Sequence, residues 1–145
     1  MQITVRPLRK EDIEEVAALE AKCFQDAWTK EQLVSAFSRA DFYGLALETE
    51  NRLIGYVCAT KLFEEAELLL IAVEKEYRGK GLGGALMDAF LKEMKSSGAE
   101  RVFLEVRLSN VAAKTLYERR GFATVRVREK YYADGESALE MVKTL

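Results

Sequence analysis

The stretch Leu68-Leu69-Leu70-Ile71-Ala72-Val73-Glu74-Lys75-Glu76-Tyr77-Arg78-Gly79-Lys80-Gly81-Leu82-Gly83-Gly84 decides how this chain is read. Residues 68–73 are continuously apolar, the pattern of a strand buried on both faces. From Arg78 onward the chain becomes a glycine-rich loop that carries two cations. A helix follows to about Ser97, with an apolar stripe at Leu82, Ala85, Leu86, Ala89, Phe90 and Met94. Gly98 stands where a left-handed stop to that helix belongs. Glycines let backbone N–H groups converge on an anion, and a helix N-terminus adds roughly half a positive charge. Arg78, Gly79, Lys80, Gly81, Leu82, Gly83 and Gly84 are therefore a candidate cradle for a pyrophosphate.

The spacing Gly79-x-Gly81-x-x-Gly84 also matches the dinucleotide fingerprint. That reading fails on its surroundings. A Rossmann strand runs almost directly into its first glycine, whereas Glu74-Lys75-Glu76-Tyr77-Arg78 intervene here. Too few residues follow Gly84 for the second half of a dinucleotide sheet. A Walker loop is excluded too, because Ala85 stands where its lysine belongs.

Upstream, Ile3-Thr4-Val5-Arg6 alternates as a short strand ended by Pro7. Residues 11–24 carry Ile13, Val16, Ala17, Leu19 and Phe24 at helical spacing. Thr29, with Gln32 three residues on, forms a capping box for a second helix whose buried face is Leu33, Ala36 and Phe37. Strands are expected over 42–48, 53–63 and 67–73. Their connections are too short for crossovers, so they should form an antiparallel meander.

Downstream, 101–107 reads as a strand with Val102, Leu104 and Val106 on one face and Phe103, Glu105 and Arg107 on the other. Asn110 caps a helix that ends at Gly121. Strands near 122–128 and 137–142 close the chain, with Asp134-Gly135 as a tight hairpin turn between them. Tyr131 and Tyr132 should then point to opposite faces of a strand. The fold class is mixed α/β: one central, largely antiparallel sheet flanked by helices.

The chain has 145 residues, 49% hydrophobic and 32% charged, the profile of one ordinary globular domain over 1–145. Its net charge of −2 gives no electrostatic reason to expect nucleic acid. No apolar run is long enough for a membrane span and the N-terminus has no signal core. The two cysteines, Cys23 and Cys58, show no metal spacing and read as small buried thiols in a reducing cytoplasm. With no histidine, the commonest general base and metal ligand is absent, and no metal is expected.

Ile71-Ala72-Val73 followed by Tyr77-Arg78-Gly79-Lys80-Gly81-Leu82-Gly83 resembles the acetyl-CoA motif of the GNAT acetyltransferase superfamily. The block Leu104-Glu105-Val106-Arg107-Leu108-Ser109-Asn110-Val111-Ala112-Ala113, continuing through Leu116-Tyr117-Glu118 to Gly121-Phe122, is similar to the RimI group of ribosomal-protein-alanine N-acetyltransferases and related N-terminal acetyltransferases. Tyr131-Tyr132, Asp134-Gly135-Glu136 and the Cys23-Phe24…Trp28 segment share that likeness.

The resemblance implies an acetyl-CoA-dependent enzyme acting on a protein or peptide N-terminus, a ribosomal protein being the first candidate. It implies that Ile71, Ala72 and Val73 offer backbone to the acetyl and pantetheine end of acetyl-CoA, and that residues 78–84 hold the pyrophosphate. Asn110 would bond the pantetheine arm, Glu105 would be the general base and Tyr117 the general acid. Trp28, Leu70 and Tyr131 would meet the substrate. Two positions depart from the group: Ala27 stands for the usual proline before Trp28, and Leu70 for a frequent asparagine. Both lie near the expected peptide groove, so small amines or lysine side chains are a second substrate class. The loop alone would also serve a non-catalytic acyl-CoA-binding module.

Overall fold

The computed structural model describes residues 2–145. The elements in chain order are β1 (Ile3–Pro7), α1 (Ile13–Cys23), α2 (Lys30–Phe37), β2 (Phe42–Thr49), β3 (Arg52–Leu62), β4 (Glu65–Val73), α3 (Leu82–Ser96), β5 (Arg101–Arg107), α4 (Val111–Glu118), β6 (Ala123–Arg128) and β7 (Ala138–Thr144). They form a 7-stranded sheet in the order β1-β2-β3-β4-β5-β7-β6. The expected meander is present, because β2, β3 and β4 pair antiparallel, with β1 added outside β2.

The alternation of each strand divides two cores. Ala46, Tyr56, Cys58 and Ala72 face α1 and α2, where Ile13, Val16, Leu19 and Leu33 are buried. Leu45, Leu47, Val57 and Leu104 face the other way, onto Leu86, Met87 and Phe90 of α3. α3 is rolled relative to the expected stripe. Met87 and Leu91 are buried while Ala85 is exposed. The helix turns its heaviest side chains to the sheet and leaves the small Ala85 outside, which buries more apolar area.

The feature that shapes the site is the β4–β5 pair. It is the sheet's parallel pair, and its ladder covers only Glu65–Glu67 against Arg101–Phe103. Immediately beyond, Cys58 of β3 pairs with Leu70 while Ala59 pairs with Leu68, so Leu69 is an extra residue in β4. Such a bulge bends its strand and sharpens the twist. Beyond it β4 stays with β3, whereas β5 stays with β7 along its whole length. The two strands part there. The expectation that 68–73 is buried on both faces is corrected accordingly: Leu69, Leu70 and Ile71 are only half-buried, because one edge of β4 looks into the gap.

The C-terminal connection also differs from expectation. Tyr131 and Tyr132 lie in the loop 129–137, not in a strand, with their rings edge to face at 5.1 Å. Gly135 is left-handed at φ +88°, but the Asp134-Gly135 turn belongs to that longer loop, closed by Tyr132 N donating to Glu136 O at 3.1 Å. Helix α4 ends at Glu118, short of Gly121.

Several local signals are realised as read. Gly98 ends α3 at φ +96°. Thr29 Oγ1 accepts from Gln32 N at 3.1 Å, and Gln32 Oε1 accepts from Thr29 N at 2.8 Å. Because α2 is short, this box holds a large share of its stability. Thr29→Ala is expected to cost about 1 kcal/mol and to lower the midpoint of thermal unfolding by about 2–4 °C.

Candidate active site

The gap between β4 and β5 opens into a cleft of about 470 Å³. Its floor and one wall are Leu68 through Val73 of β4; the other side is Glu105, Val106 and Arg107 of β5. Asn110, Ala112, Ala113, Leu116 and Tyr117 close it from α4, and Glu20, Cys23, Phe24, Asp26 and Trp28 from α1 and the loop after it. Arg78 and Gly83 lie at the end formed by α3, and Tyr132 lies on the loop 129–137. Ten of the sequence-predicted positions thus meet in one place: Trp28, Leu70, Ile71, Ala72, Val73, Arg78, Gly83, Glu105, Asn110 and Tyr117.

The glycines do not share one task. Gly79 and Gly81 are left-handed, at φ +77° and +76°, with open space where a β-carbon would stand. Their need is conformational: they turn the chain so that α3 begins with its first N–H groups unpaired. Gly83 lines the cleft, and its smallness lets a ligand approach the first turn. Gly84 does something else. A β-carbon there would lie 3.0 Å from Arg120 Cζ, so the missing side chain makes room for a guanidinium. That guanidinium is held by Asp88 one turn further along α3, at 2.9 Å.

The loop's charges are also partly occupied. Arg78 Nε donates to Val73 O at 2.8 Å and its Nη2 lies 3.2 Å from Cys23 Sγ. This folds the loop back onto the end of β4. Lys80 lies over the Tyr77 ring at 5.5 Å, outside the cleft. Leu82 packs into the core beside α3 rather than toward the cleft. The residues 74–78 that separate the strand from the first glycine form a short 3₁₀ turn at Lys75–Tyr77.

Glu105 sits where β5 leaves β4. Its Oε1 accepts from Tyr131 OH at 3.2 Å. Its Oε2 is buried and has no hydrogen-bond partner; Arg128 Nε stands 3.6 Å away. Arg128 also donates to Glu140 at 3.1 Å, and Glu140 pairs directly across from Glu105. Glu67 on β4 completes this group. Desolvation and the like charges of Glu105 and Glu140 push its carboxyl above the usual range.

Tyr117 is only 5% exposed. Burial, with a smaller effect of Tyr132, raises its phenol above the ordinary tyrosine value, so it keeps its proton at neutral pH. Asn110 caps α4, its Oδ1 accepting from Ala113 N at 3.1 Å. The cap leaves the two amide N–H donors unconsumed.

Residues absent from the sequence-based list also line the cleft: Glu20, Cys23, Phe24, Asp26, Arg107, Leu116 and Tyr132. Cys23 is half-buried beside Arg78, contrary to the expectation of a buried thiol, while Cys58 is fully buried as expected. Of the two tyrosines it is Tyr132 that faces the cleft. Tyr131 is 47% exposed and reaches Glu105 from outside. No periodicity marks a loop residue, so only the tyrosine pair itself was a usable signal.

The Acetyltransferase (GNAT) family matches residues 13–122. A Bacillus subtilis protein named as a putative [ribosomal protein bS18]-alanine N-acetyltransferase is 36% identical over 97% of this chain and 95% of its own length. An N-alpha-acetyltransferase of Saccharolobus solfataricus is 32% identical over 98% of this chain and 93% of its own. The crystal structure of the ribosomal-protein-S18-alanine N-acetyltransferase from Escherichia coli superposes with a TM-score of 0.93 at 29% identity, over 99% of this chain and 94% of that one.

The glycines' separate tasks make separable variants. Gly79→Ala and Gly81→Ala are each expected to cost about 1–2 kcal/mol in thermal unfolding, from backbone conformation alone. Gly83→Ala should leave the fold as stable or slightly more so, since helix interiors favour alanine and the new carbon meets only Val73 Cγ2 at 4.0 Å. It should nevertheless weaken acetyl-CoA binding in a calorimetric titration.

Proposed function

The chain belongs to the Acetyltransferase (GNAT) family, and from that premise we propose that it transfers the acetyl group of acetyl-CoA to the α-amino group of a protein N-terminus. The N-terminal alanine of a small-subunit ribosomal protein is the first target to test, in the cytoplasm, with residues 1–145 acting as one domain. One observation carries the reading: the parting of β4 and β5 brings a carboxylate with an unpartnered oxygen, a buried phenol and an open strand edge into a single cleft. The similarity to N-terminal acetyltransferases over nearly the whole chain supports the choice of amine.

Acetyl-CoA, when bound, supplies an activated acetyl group on a thiol leaving group. The site fits it. Ile71, Ala72 and Val73 run along the edge of β4 that has lost β5, where the backbone groups directed away from β3 meet the amides of the pantetheine arm, Val73 O being already held by Arg78 Nε. Asn110 retains its amide donors for the same arm. The first turn of α3, with Gly79, Gly81 and Gly83 opening it, receives the pyrophosphate. Arg78 holds the loop against β4, and Lys80 stands outside as a diffuse positive charge.

Glu105 acts as the proton acceptor. Its carboxylate takes the proton that the attacking amine loses, directly or through a water. An α-amino group needs little help, because its reference pKa of about 7.7–8.0 leaves part of it neutral near pH 7. A lysine at about 10.4 would be almost wholly charged there. Tyr117 donates its proton to the departing sulfur. The nitrogen–carbon bond forms as the carbon–sulfur bond breaks, and a proton returned to Tyr117 with one lost from Glu105 resets the site. Trp28, Leu70 and Phe24 form the apolar side against which a small N-terminal side chain rests; Tyr132 closes it from the opposite loop. Tyr131 bears on the substrate through its hydrogen bond to Glu105.

Mass spectrometry of a peptide library incubated with acetyl-CoA tests the reading. Acetylation is expected on free N-termini and absent from peptides with a blocked N-terminus and a free lysine. Turnover confined to small free amines would overturn it. Glu105→Gln and Tyr117→Phe are expected to lower kcat by roughly 10²–10⁴-fold with acetyl-CoA affinity preserved.

The pH profile provides a separate check. The phenol of Tyr117 is raised, so its proton is retained up to and beyond the ordinary tyrosine value of about 10. The kcat of the wild type is expected to rise with pH and then level, with no descent below about pH 10. A fall between pH 8 and 9 would remove Tyr117 from the role of acid.

A further inference from the structure

Arg107 lies two residues beyond Glu105 on the same face of β5, and its side chain gathers the two loops that flank the cleft. One end of its guanidinium, Nη2, donates to Asp26 Oδ2 at 2.8 Å, on the loop between α1 and α2. The other end, Nη1, donates to Asp134 Oδ2 at 2.9 Å and to Glu136 Oε1 at 2.9 Å, on the loop 129–137. Its Cζ lies over the Tyr132 ring, 4.0 Å from the centroid. The Arg107 carbonyl accepts from Asn110 N at 3.0 Å, and Glu136 Oε2 accepts from Ser109 N at 2.9 Å, so the turn into α4 is held by the same cluster. Among the described residues, this is the side-chain hydrogen bond that joins the loop 24–29 to the β5–β7 half of the sheet.

Two simpler roles do not suit this residue. It is not an anchor for the cofactor's phosphates, because three carboxylates surround one guanidinium and the cluster is net negative. It does not pair with Glu105, whose cationic neighbour is Arg128. What Arg107 does reach is one loop with Trp28 and another with Tyr132, both of which line the cleft. A planar fork with donors on both ends can hold two loops at a fixed distance, which a lysine cannot.

We propose that Arg107 is the positioning residue for the acceptor peptide: it clasps the loop 24–29 to the loop 129–137 and so sets the width of the cleft between Trp28 and Tyr132. This rests on the acceptor being a protein N-terminus. Asp26 is the separable limb, since its side chain is 56% exposed and its loss leaves Asp134, Glu136 and Tyr132 on Arg107.

The test pairs kinetics with a measurement that needs no acceptor. Asp26→Asn takes the charge from the limb and leaves only a neutral acceptor, and is expected to raise the peptide KM roughly two- to five-fold, the reach of one exposed pair. Its kcat should change less than its KM, and acetyl-CoA affinity should stay within two-fold, a split that general destabilisation would not produce. In an Arg107→Met background, Asp26→Asn should add nothing further, and Arg107→Lys should recover only part of the loss. Hydrogen exchange without substrate should quicken in 24–29 for Asp26→Asn and in both loops for Arg107→Met. Unchanged exchange in both variants overturns the clasp. An undiminished effect of Asp26→Asn in the Arg107→Met background overturns it too, by showing that Asp26 meets the peptide itself. If Arg107→Met does not fold, Asp26→Asn decides the matter by its KM and exchange. If the wild type acetylates no N-terminus, the proposed function fails while exchange still reports on the clasp.

Discussion

The site depends on one extra residue in one strand. With Leu69 inserted, β4 must bend, and a parallel ladder with β5 cannot continue past the bend. Everything near the cleft follows from that. β5 keeps its straight course because β7 pairs with it from Arg101 to Arg107. Glu105 is thereby carried on a rigid strand yet faces an opening. The edge of β4 that loses its partner would ordinarily be a hazard, since free N–H and C=O groups recruit other strands. Here α4 and the loop after α1 stand over it, so the groups are open to a slender ligand and closed to another sheet.

The charges around that opening form a graded set. Glu67, Glu105 and Glu140 lie near one another on the sheet, and Arg128 is placed against the last two, at 3.6 and 3.1 Å. One cation among three carboxylates leaves negative charge in excess, which adds to burial, the larger cause, in raising the Glu67 carboxyl. Glu105 keeps an oxygen without a hydrogen bond in a buried position, which ordinary folding would not leave unpaired. Tyr117 is kept protonated by burial, so the same cleft holds an acceptor and a donor through different means: unfulfilled charge for one, desolvation for the other.

Features set by neighbouring residues could be read from the sequence. The Thr29–Gln32 box, the Asn110 cap, the left-handed Gly98 and the alternation along β5 depend on groups within a turn of one another. Features set by distant residues could not. Leu69 looks like its neighbours, and only the register against Cys58 and Ala59 makes it a bulge. The face of α3 is ambiguous in the sequence because Ala85 and Met87 are both apolar, and the sheet decides which is covered. Nothing in the sequence separates the tyrosine pair from a strand, because loop 129–137 has no periodicity of its own. Arg107 was readable as a neighbour of Glu105 but not as the meeting point of three carboxylates from two loops.

The glycine motif shows why a matched pattern overstates a site. Gly79 and Gly81 answer to backbone conformation, Gly83 to ligand approach and Gly84 to the Arg120 guanidinium. The letters are the same and the reasons differ, so a match to the motif does not make each glycine a ligand contact. It fixes even less about the amine. In the proposed function, the half of the cleft assigned to the cofactor is made of strand edge and helix terminus, which are main chain and vary little with side-chain identity. The half assigned to the acceptor is made of side chains on two loops, Phe24 and Trp28 on one and Tyr132 on the other. Under the proposed function, selectivity for the acceptor resides in how those loops are held, and β5, the strand that carries Glu105, also carries the guanidinium that reaches both.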